Sequence, residues 1–158
     1  MNSVAAWPHL LLALVLLAGA DRVRAGELAV IAHPGAVTPL DHRQLADSYR
    51  GVRRVDEDGR RIVPLNLPVD DPLRRAFSLA VLGRLPEDLE AYWNERYFHG
   101  VSPPYVVSSA EAMLRFVAAT PGALGYVPRC AVDARVAVVA EVAIPGPAIA
   151  CADAAAAR

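Results

Sequence analysis

Two adjacent arginines, Arg74 and Arg75, are the residues whose type and spacing point most directly to ligand chemistry. A guanidinium binds phosphate or carboxylate through two parallel hydrogen bonds, so this pair predicts an anion fork. The same pair also fits a solvated helix face whose arginines form ion pairs with Asp70, Asp71 or Glu95. The sequence leaves both interpretations open.

Asn66 is a further candidate ligand contact, because it ends a predicted strand close to the start of the helix that carries the arginines. An amide at this position either contacts a ligand or hydrogen-bonds the turn that follows the strand. Ser108 and Ser109 are interpreted as caps of a later helix.

Neither a metal site nor a catalytic site is predicted. His33, His42 and His99 fall on three separate elements and lack the short spacings of metal-binding histidines. The chain contains no GxSxG elbow and no Walker A glycine loop. Residues 56–59 (DEDG) lack the 12-residue ligand pattern of a calcium loop and are predicted to form a turn. We therefore expect a protein that is not an enzyme and uses no cofactor.

The elements that must position these residues follow from short apolar runs, helix caps and Pro/Gly breaks. The expected strands cover residues 27–32, 62–67, 105–107, 123–127 and 135–142. The expected helices run from Thr38-Pro39 to Gly51, from Pro72 to Leu82 with Asp71 as N-cap and Gly83 at the end, from Pro86 to Phe98, and from Ser109 to Ala119. The side chains expected to face the core from the last two helices are Leu89, Tyr92, Trp93, Phe98, Met113, Phe116 and Val117. The alternation of strands and helices predicts an α/β fold in which helices cover a sheet.

Length and composition set the outer limits. The chain has 158 residues, 54% of them hydrophobic, which is enough for one domain with a buried core. Its formal net charge is −1, with arginine as its only strong base. This balance excludes the basic stripe of a nucleic-acid-binding protein.

Residues 1–25 are predicted to be a signal peptide. The eleven uncharged residues 10–20 (LLLALVLLAGA) would span about 16 Å as a helix, too short for a membrane crossing. Val23 and Ala25 place cleavage before Gly26, and Ala18-Gly19-Ala20 offers a second cleavage site. The segment before the apolar run lacks Lys and Arg, so a retained leader is the alternative. The expected location is periplasmic or secreted.

The two cysteines, Cys130 and Cys151, both follow the leader. In an oxidising compartment such a pair predicts a disulfide, which would tie the Pro/Ala-rich tail, residues 145–158, to the domain formed by residues 26–144. Loop entropy gives such a bond about 3 kcal/mol of stabilisation. Two unpaired thiols are the alternative interpretation.

Three local patterns in order resemble those of a known family. They are LADSYRG at 45–51 with the acidic turn and strand that follow it, RRAF at 74–77 with VLG at 81–83, YW at 92–93, FHG at 98–100 and PP at 103–104, and PGALGYV at 121–127. Together they resemble the short exported substrate-binding-like proteins related to the phosphate-binding component of ABC importers. The PGALGYV segment is the most specific of the three.

This resemblance implies one lobe of a type II periplasmic-binding-protein fold, a mixed sheet flanked by helices. It implies a small anion such as phosphate as ligand, a membrane transporter as partner, and a ligand-facing role for Tyr126. Core packing with the hydroxyl at the sheet edge is the alternative for this residue. A single lobe provides half of the ligand clamp, so a homodimer or another protein would have to supply the facing wall.

The chain departs from the family where phosphate binders carry a Gly-Ser-Gly-Thr loop at a helix start. The corresponding residues are Asp70, Asp71, Pro72 and Leu73. Asp71 is expected to cap the helix in the ligand's place, and Asp70 adds a second negative charge. Two functional hypotheses follow. The chain either binds a small anion for a transporter, through Asn66, Asp71, Arg74, Arg75 and Tyr126, or is an envelope interaction module that keeps the lobe without a ligand.

Overall fold

The computed structural model describes residues 26–36 and 38–144. The predicted leader and the predicted C-terminal tail lie outside the described residues, so both boundaries remain predictions.

The described residues form five strands, four α-helices and three shorter helical segments. The strands are β1 (Gly26–Ala32), β2 (Val63–Asn66), β3 (Tyr105–Val106), β4 (Ala123–Pro128) and β5 (Ala137–Ile144). The α-helices are α1 (His42–Tyr49), α2 (Pro72–Phe77), α3 (Glu90–Phe98) and α4 (Ala110–Ala119). A π-helical segment, Ser78–Leu82, continues α2, and 3-10 turns at Glu87–Leu89 and Arg129–Ala131 precede α3 and follow β4.

The five strands make one mixed sheet in the order β3-β2-β4-β1-β5. β2 runs parallel to both β3 and β4, whereas β1 runs antiparallel to both β4 and β5. β1 is enclosed by two neighbours, and residues 28–31 of this strand are fully buried. The predicted α/β architecture, a mixed sheet flanked by helices, is confirmed.

Two details of the helix predictions are wrong. α1 begins at His42 because the Asp41 side chain accepts from the Gln44 N–H and the Gln44 side chain accepts from the Asp41 N–H, a capping box that displaces the expected start at Thr38-Pro39. Phe98 and Phe116 are 88% and 37% exposed rather than inward-facing.

Helix geometry explains both exposed phenylalanines. The last turn of α3 projects beyond the part of that helix that packs against the domain, as the exposure of Tyr97 and Phe98 shows. The buried face of α4 is formed by Met113, Leu114 and Val117, which leaves Phe116 at its margin.

Close packing explains the two glycines of the PGALGYV segment. Gly122 has φ +83°, and a Cβ there would collide with the Arg61 carbonyl oxygen of the neighbouring chain segment. A Cβ on Gly125 would lie 2.6 Å from the Met113 sulfur and 3.1 Å from a Val117 methyl carbon, so the close approach of α4 to β4 leaves little room for a larger residue. Within the described residues, no helix is both long enough and apolar enough to span a membrane.

Candidate functional site

The first turn of α2 lies beyond the carboxyl end of β2, and Asp71 caps it. The Asp71 carboxylate accepts from the N–H groups of Leu73 at 2.8 Å and Arg74 at 3.3 Å. Pro72 at the first helical position contributes no N–H. The side chain of Asp71 therefore already uses the two backbone donors that this helix start offers, as the sequence predicted.

Arg75 is held away from this turn by an ion pair. Its guanidinium donates two hydrogen bonds of 2.9 Å to the two carboxylate oxygens of Glu87, in the 3-10 turn before α3. This contact raises the pKa of Arg75 and lowers the pKa of Glu87. The partner is thus Glu87 rather than one of the three acids considered from the sequence.

Arg74 is half-buried and lacks a carboxylate partner among the described residues. Its Nε is buried without a hydrogen-bond partner. Burial lowers the pKa of Arg74, because desolvation disfavours its charged form, whereas the nearby Tyr126 and Tyr49 act in the opposite direction. A half-buried guanidinium with an unpaired N–H is costly, and a bound anion would supply the missing acceptor.

Tyr126 and Asn66 form a buried hydrogen-bonded pair behind the first turn of α2. The Tyr126 hydroxyl donates to the Asn66 side-chain oxygen at 3.3 Å and accepts from the Leu67 N–H at 3.2 Å. Tyr126 is fully buried and Asn66 is 4% exposed. Desolvation raises the pKa of Tyr126, so its hydroxyl keeps its proton and acts as a neutral donor at this position.

Tyr126 also belongs to a cluster of three aromatic rings with Phe77 and Tyr49. The rings of Phe77 and Tyr126 stack, and Tyr49 meets Phe77 edge-on with 4.6 Å between ring centroids. The Tyr49 hydroxyl points at two strand carbonyl oxygens, those of Leu65 at 3.1 Å and Leu124 at 3.2 Å. Tyr49 therefore joins α1 to two parallel strands beneath α2.

Ser78 was not singled out by the sequence analysis, yet it lies one helical turn after Arg74 and is fully buried. Its Oγ has no hydrogen-bond partner. Residues four apart share a helix face, so the polar atoms of Arg74 and Ser78 that lack partners among the described residues lie on the same side of α2 and its π-helical continuation. The spacing could have shown this in advance, but the absence of partners could not be read from it.

The structure thus gathers Asn66, Asp71, Arg74 and Tyr126 around the start of α2 and directs Arg75 elsewhere. Their ligand-binding roles remain predictions. Within residues 26–36 and 38–144, no group of three or more His, Cys, Asp or Glu side chains could hold a metal ion.

This sheet order and its helical cover are those of one lobe of the type II periplasmic-binding-protein fold. No protein-family model matches the chain, and no curated protein matches it. Solved structures do match. Their sequence identities to this chain are below 25%, and the structural likeness shows the fold.

One similar structure is described as a phosphate ABC transporter substrate-binding protein with bound phosphate from Clostridium perfringens, at 22% identity and a TM-score of 0.59 over 73% of this chain. Another is an ABC-type phosphate transport receptor from Vibrio cholerae, at 18% identity and 0.59 over 76%. A third is PstS from Borrelia burgdorferi, at 15% identity and 0.51 over 66%. The matches span 45%, 56% and 42% of those three chains, so this chain corresponds to about half of each.

Proposed function

We propose that this chain is an exported solute-binding protein that captures a small oxyanion, phosphate first, at the start of α2 for a membrane transporter. The observation that carries the proposal is the half-buried Arg74, whose Nε has no partner and which has no carboxylate beside it among the described residues. An oxyanion is the ligand class that would satisfy this guanidinium.

The residues packed around Arg74 hold it in position for a ligand. Stacking of Phe77 on Tyr126 fixes the helix that carries Arg74 against the sheet. The Tyr126–Asn66 pair lies behind the same helix start, so Arg74 is presented from a packed base rather than from a loop. Asp71 is the opposing element, because its carboxylate both uses the backbone donors and repels an anion.

Calorimetric titration of the chain beginning at Gly26 with phosphate at low salt tests the proposal. We expect binding that is lost in Arg74→Ala and retained in Arg75→Ala. The second variant is a matched control, since it removes an identical charge from the next residue of the same helix, one that is engaged by Glu87. Loss in both variants would assign the binding to general positive charge.

The second candidate is an interaction module that keeps the lobe and has lost the ligand. The capping of α2 by Asp71 favours this function, because it occupies the place of the loop that binds the ligand in the resembled family. The absence of heat at millimolar phosphate would support it. Sedimentation with and without phosphate would then show whether a second copy supplies the facing wall.

Export and the disulfide complete the proposal. We infer cleavage before Gly26 and a bond from Cys130, in the 3-10 turn after β4, to Cys151, which lies outside the described residues. Mass spectrometry of the protein recovered from the cell envelope, with and without reduction before thiol labelling, tests both. A mass that retains residues 1–25, or labelling without reduction, would contradict them.

A further inference from the structure

A second cleft lies at the opposite end of β2 from the start of α2. Three arginines line this arginine cleft: Arg53 and Arg54, which follow α1, and Arg61, which precedes β2. Ser102 and Tyr105, near the start of β3, form part of the facing wall. The cleft has a volume of about 110 Å³.

The side chains that line this cleft are positively charged or uncharged. None of the described residues that line it is acidic. Among the ion pairs and side-chain hydrogen bonds of the described residues, none involves the guanidinium of Arg53, Arg54 or Arg61. Arg60, between them in sequence, is paired with Asp58 at 3.1 Å, whereas Arg53 also lines a neighbouring pocket together with Asp56, Glu57 and Asp58.

The backbone places two of these arginines at neighbouring positions of one hairpin. Arg54 and Arg61 lie on facing arms of a hairpin, where Ile62 N–H donates to the Arg54 carbonyl at 2.9 Å and Val55 pairs with Arg61. Both arginines line the cleft, so a multivalent anion within it would be attracted by both guanidiniums.

The chain segment that leads into the arginines is held in place. The Arg96 guanidinium donates to the Gly51 carbonyl at 2.9 Å, and the Tyr92 hydroxyl donates to the Arg50 carbonyl at 2.7 Å. α3 therefore holds the chain that leads into Arg53 and Arg54. A chain that is already ordered loses less conformational entropy when a ligand binds.

We propose that the arginine cleft is a second anion site, which takes a small oxyanion carrying two or more negative charges. Three guanidiniums exceed what a monovalent anion would balance. The four residues of β2 separate this cleft from the start of α2 by about 13 Å, so the two sites can be changed independently.

Calorimetric titrations of the full-length protein with pyrophosphate and with citrate at low salt test this proposal and separate a phosphate-type from a carboxylate-type ligand. We expect at least one probe to bind, and Arg54→Ala with Arg61→Ala to weaken that binding about tenfold or more. Arg43→Ala with Arg84→Ala, which removes two exposed charges outside the cleft, should change it by less than about threefold. Arg74→Ala should leave it unchanged.

The proposal is overturned if neither probe binds at millimolar concentration, if the control pair weakens binding equally, or if only Arg74→Ala abolishes it. The last result would assign the probe to the start of α2. If the double alanine variant fails to fold, Arg54→Lys with Arg61→Lys keeps the charge and removes the two-pronged donor. A clear loss of affinity in this variant supports the cleft, and unchanged affinity contradicts it.

Discussion

The ring of Tyr126 lies flat on the ring of Phe77, with 3.9 Å between ring centroids and 5° between ring planes. This contact joins β4 to α2 and so connects the most distinctive segment of the sequence to the helix that carries Arg74. The hydroxyl of the same tyrosine reaches past the stack to Asn66 and Leu67. One side chain therefore fixes both the position of α2 and the end of β2.

Replacing Tyr126 by Phe should separate these two roles. The stack is kept, but the Leu67 N–H and the Asn66 oxygen lose a buried partner, which should lower the free energy of unfolding by about 1–3 kcal/mol. Urea denaturation measures the change. Tyr92→Phe, which removes a partly buried hydroxyl from the Arg50 carbonyl, is the matched control and should cost less. Equal losses of unfolding free energy in the two variants would mean that burial of the Tyr126–Asn66 pair adds no stability.

Asp71→Ser should retain the helix cap and remove the negative charge. Serine is as good an N-cap as aspartate, so stability should stay within about 0.5 kcal/mol of the wild type, whereas Asp71→Ala should cost about 1 kcal/mol. Phosphate titrated into the serine variant should bind more tightly than to the wild type, because like-charge repulsion at Arg74 is gone. Unchanged affinity would show that Asp71 does not oppose an anion there.

Gly125→Ala should destabilise the domain by about 1–3 kcal/mol, because the new methyl group would overlap the Met113 sulfur and push α4 away from β4. Thermal unfolding reports the loss. Gly35→Ala is the control, since its added Cβ would meet nothing closer than 3.5 Å and its φ is not positive. A stable Gly125→Ala protein would show that Met113 moves aside freely.

Arg135 should make stability depend on pH. It bonds both Glu111 of α4 and Asp133, with distances of 2.7–3.1 Å, and its contact lowers the pKa of Glu111 below the usual value of about 4.3. A carboxyl whose folded pKa is depressed stabilises the fold above its unfolded pKa, and this contribution disappears as the pH falls through the folded pKa. Arg135→Ala should therefore lose less stability than the wild type as the pH falls from neutrality to below the usual glutamate pKa of about 4.3. Urea denaturation at each pH measures the free energy of unfolding. If the wild type and Arg135→Ala lose stability in parallel as the pH falls, the prediction is wrong.

The sequence predicted the order of elements because caps and breakers are local signals. Asp71, Ser109 and Gly83 end or begin helices where expected, and Gly83 adopts φ +68°. The start of α1 was missed because Asp41 with Gln44 forms a better cap than Thr38, a competition between neighbouring signals.

The candidate site was predictable only in part. Local order places Asn66, Asp71 and Arg74 near one another, but whether an arginine is paired depends on residues distant in sequence. The Arg75–Glu87 pair crosses from α2 to the segment before α3, and the arginine cleft brings together Arg54 and Ser102, which are far apart in sequence. Such contacts arise from tertiary packing, which the helix and strand periodicity of a sequence does not reveal.

Gly26, the first residue of β1, lies opposite Ile144, the last residue of β5, in an antiparallel pair. The described residues of this lobe therefore begin and end side by side at one end of two neighbouring strands, about 5 Å apart at the Cα atoms. A short Gly/Ser linker could join these two points, and the exposed turn at Asp58-Gly59 offers a place to open the chain again. We therefore expect the lobe to tolerate circular permutation at that turn, and insertion into a loop of another protein, because its two ends already lie side by side.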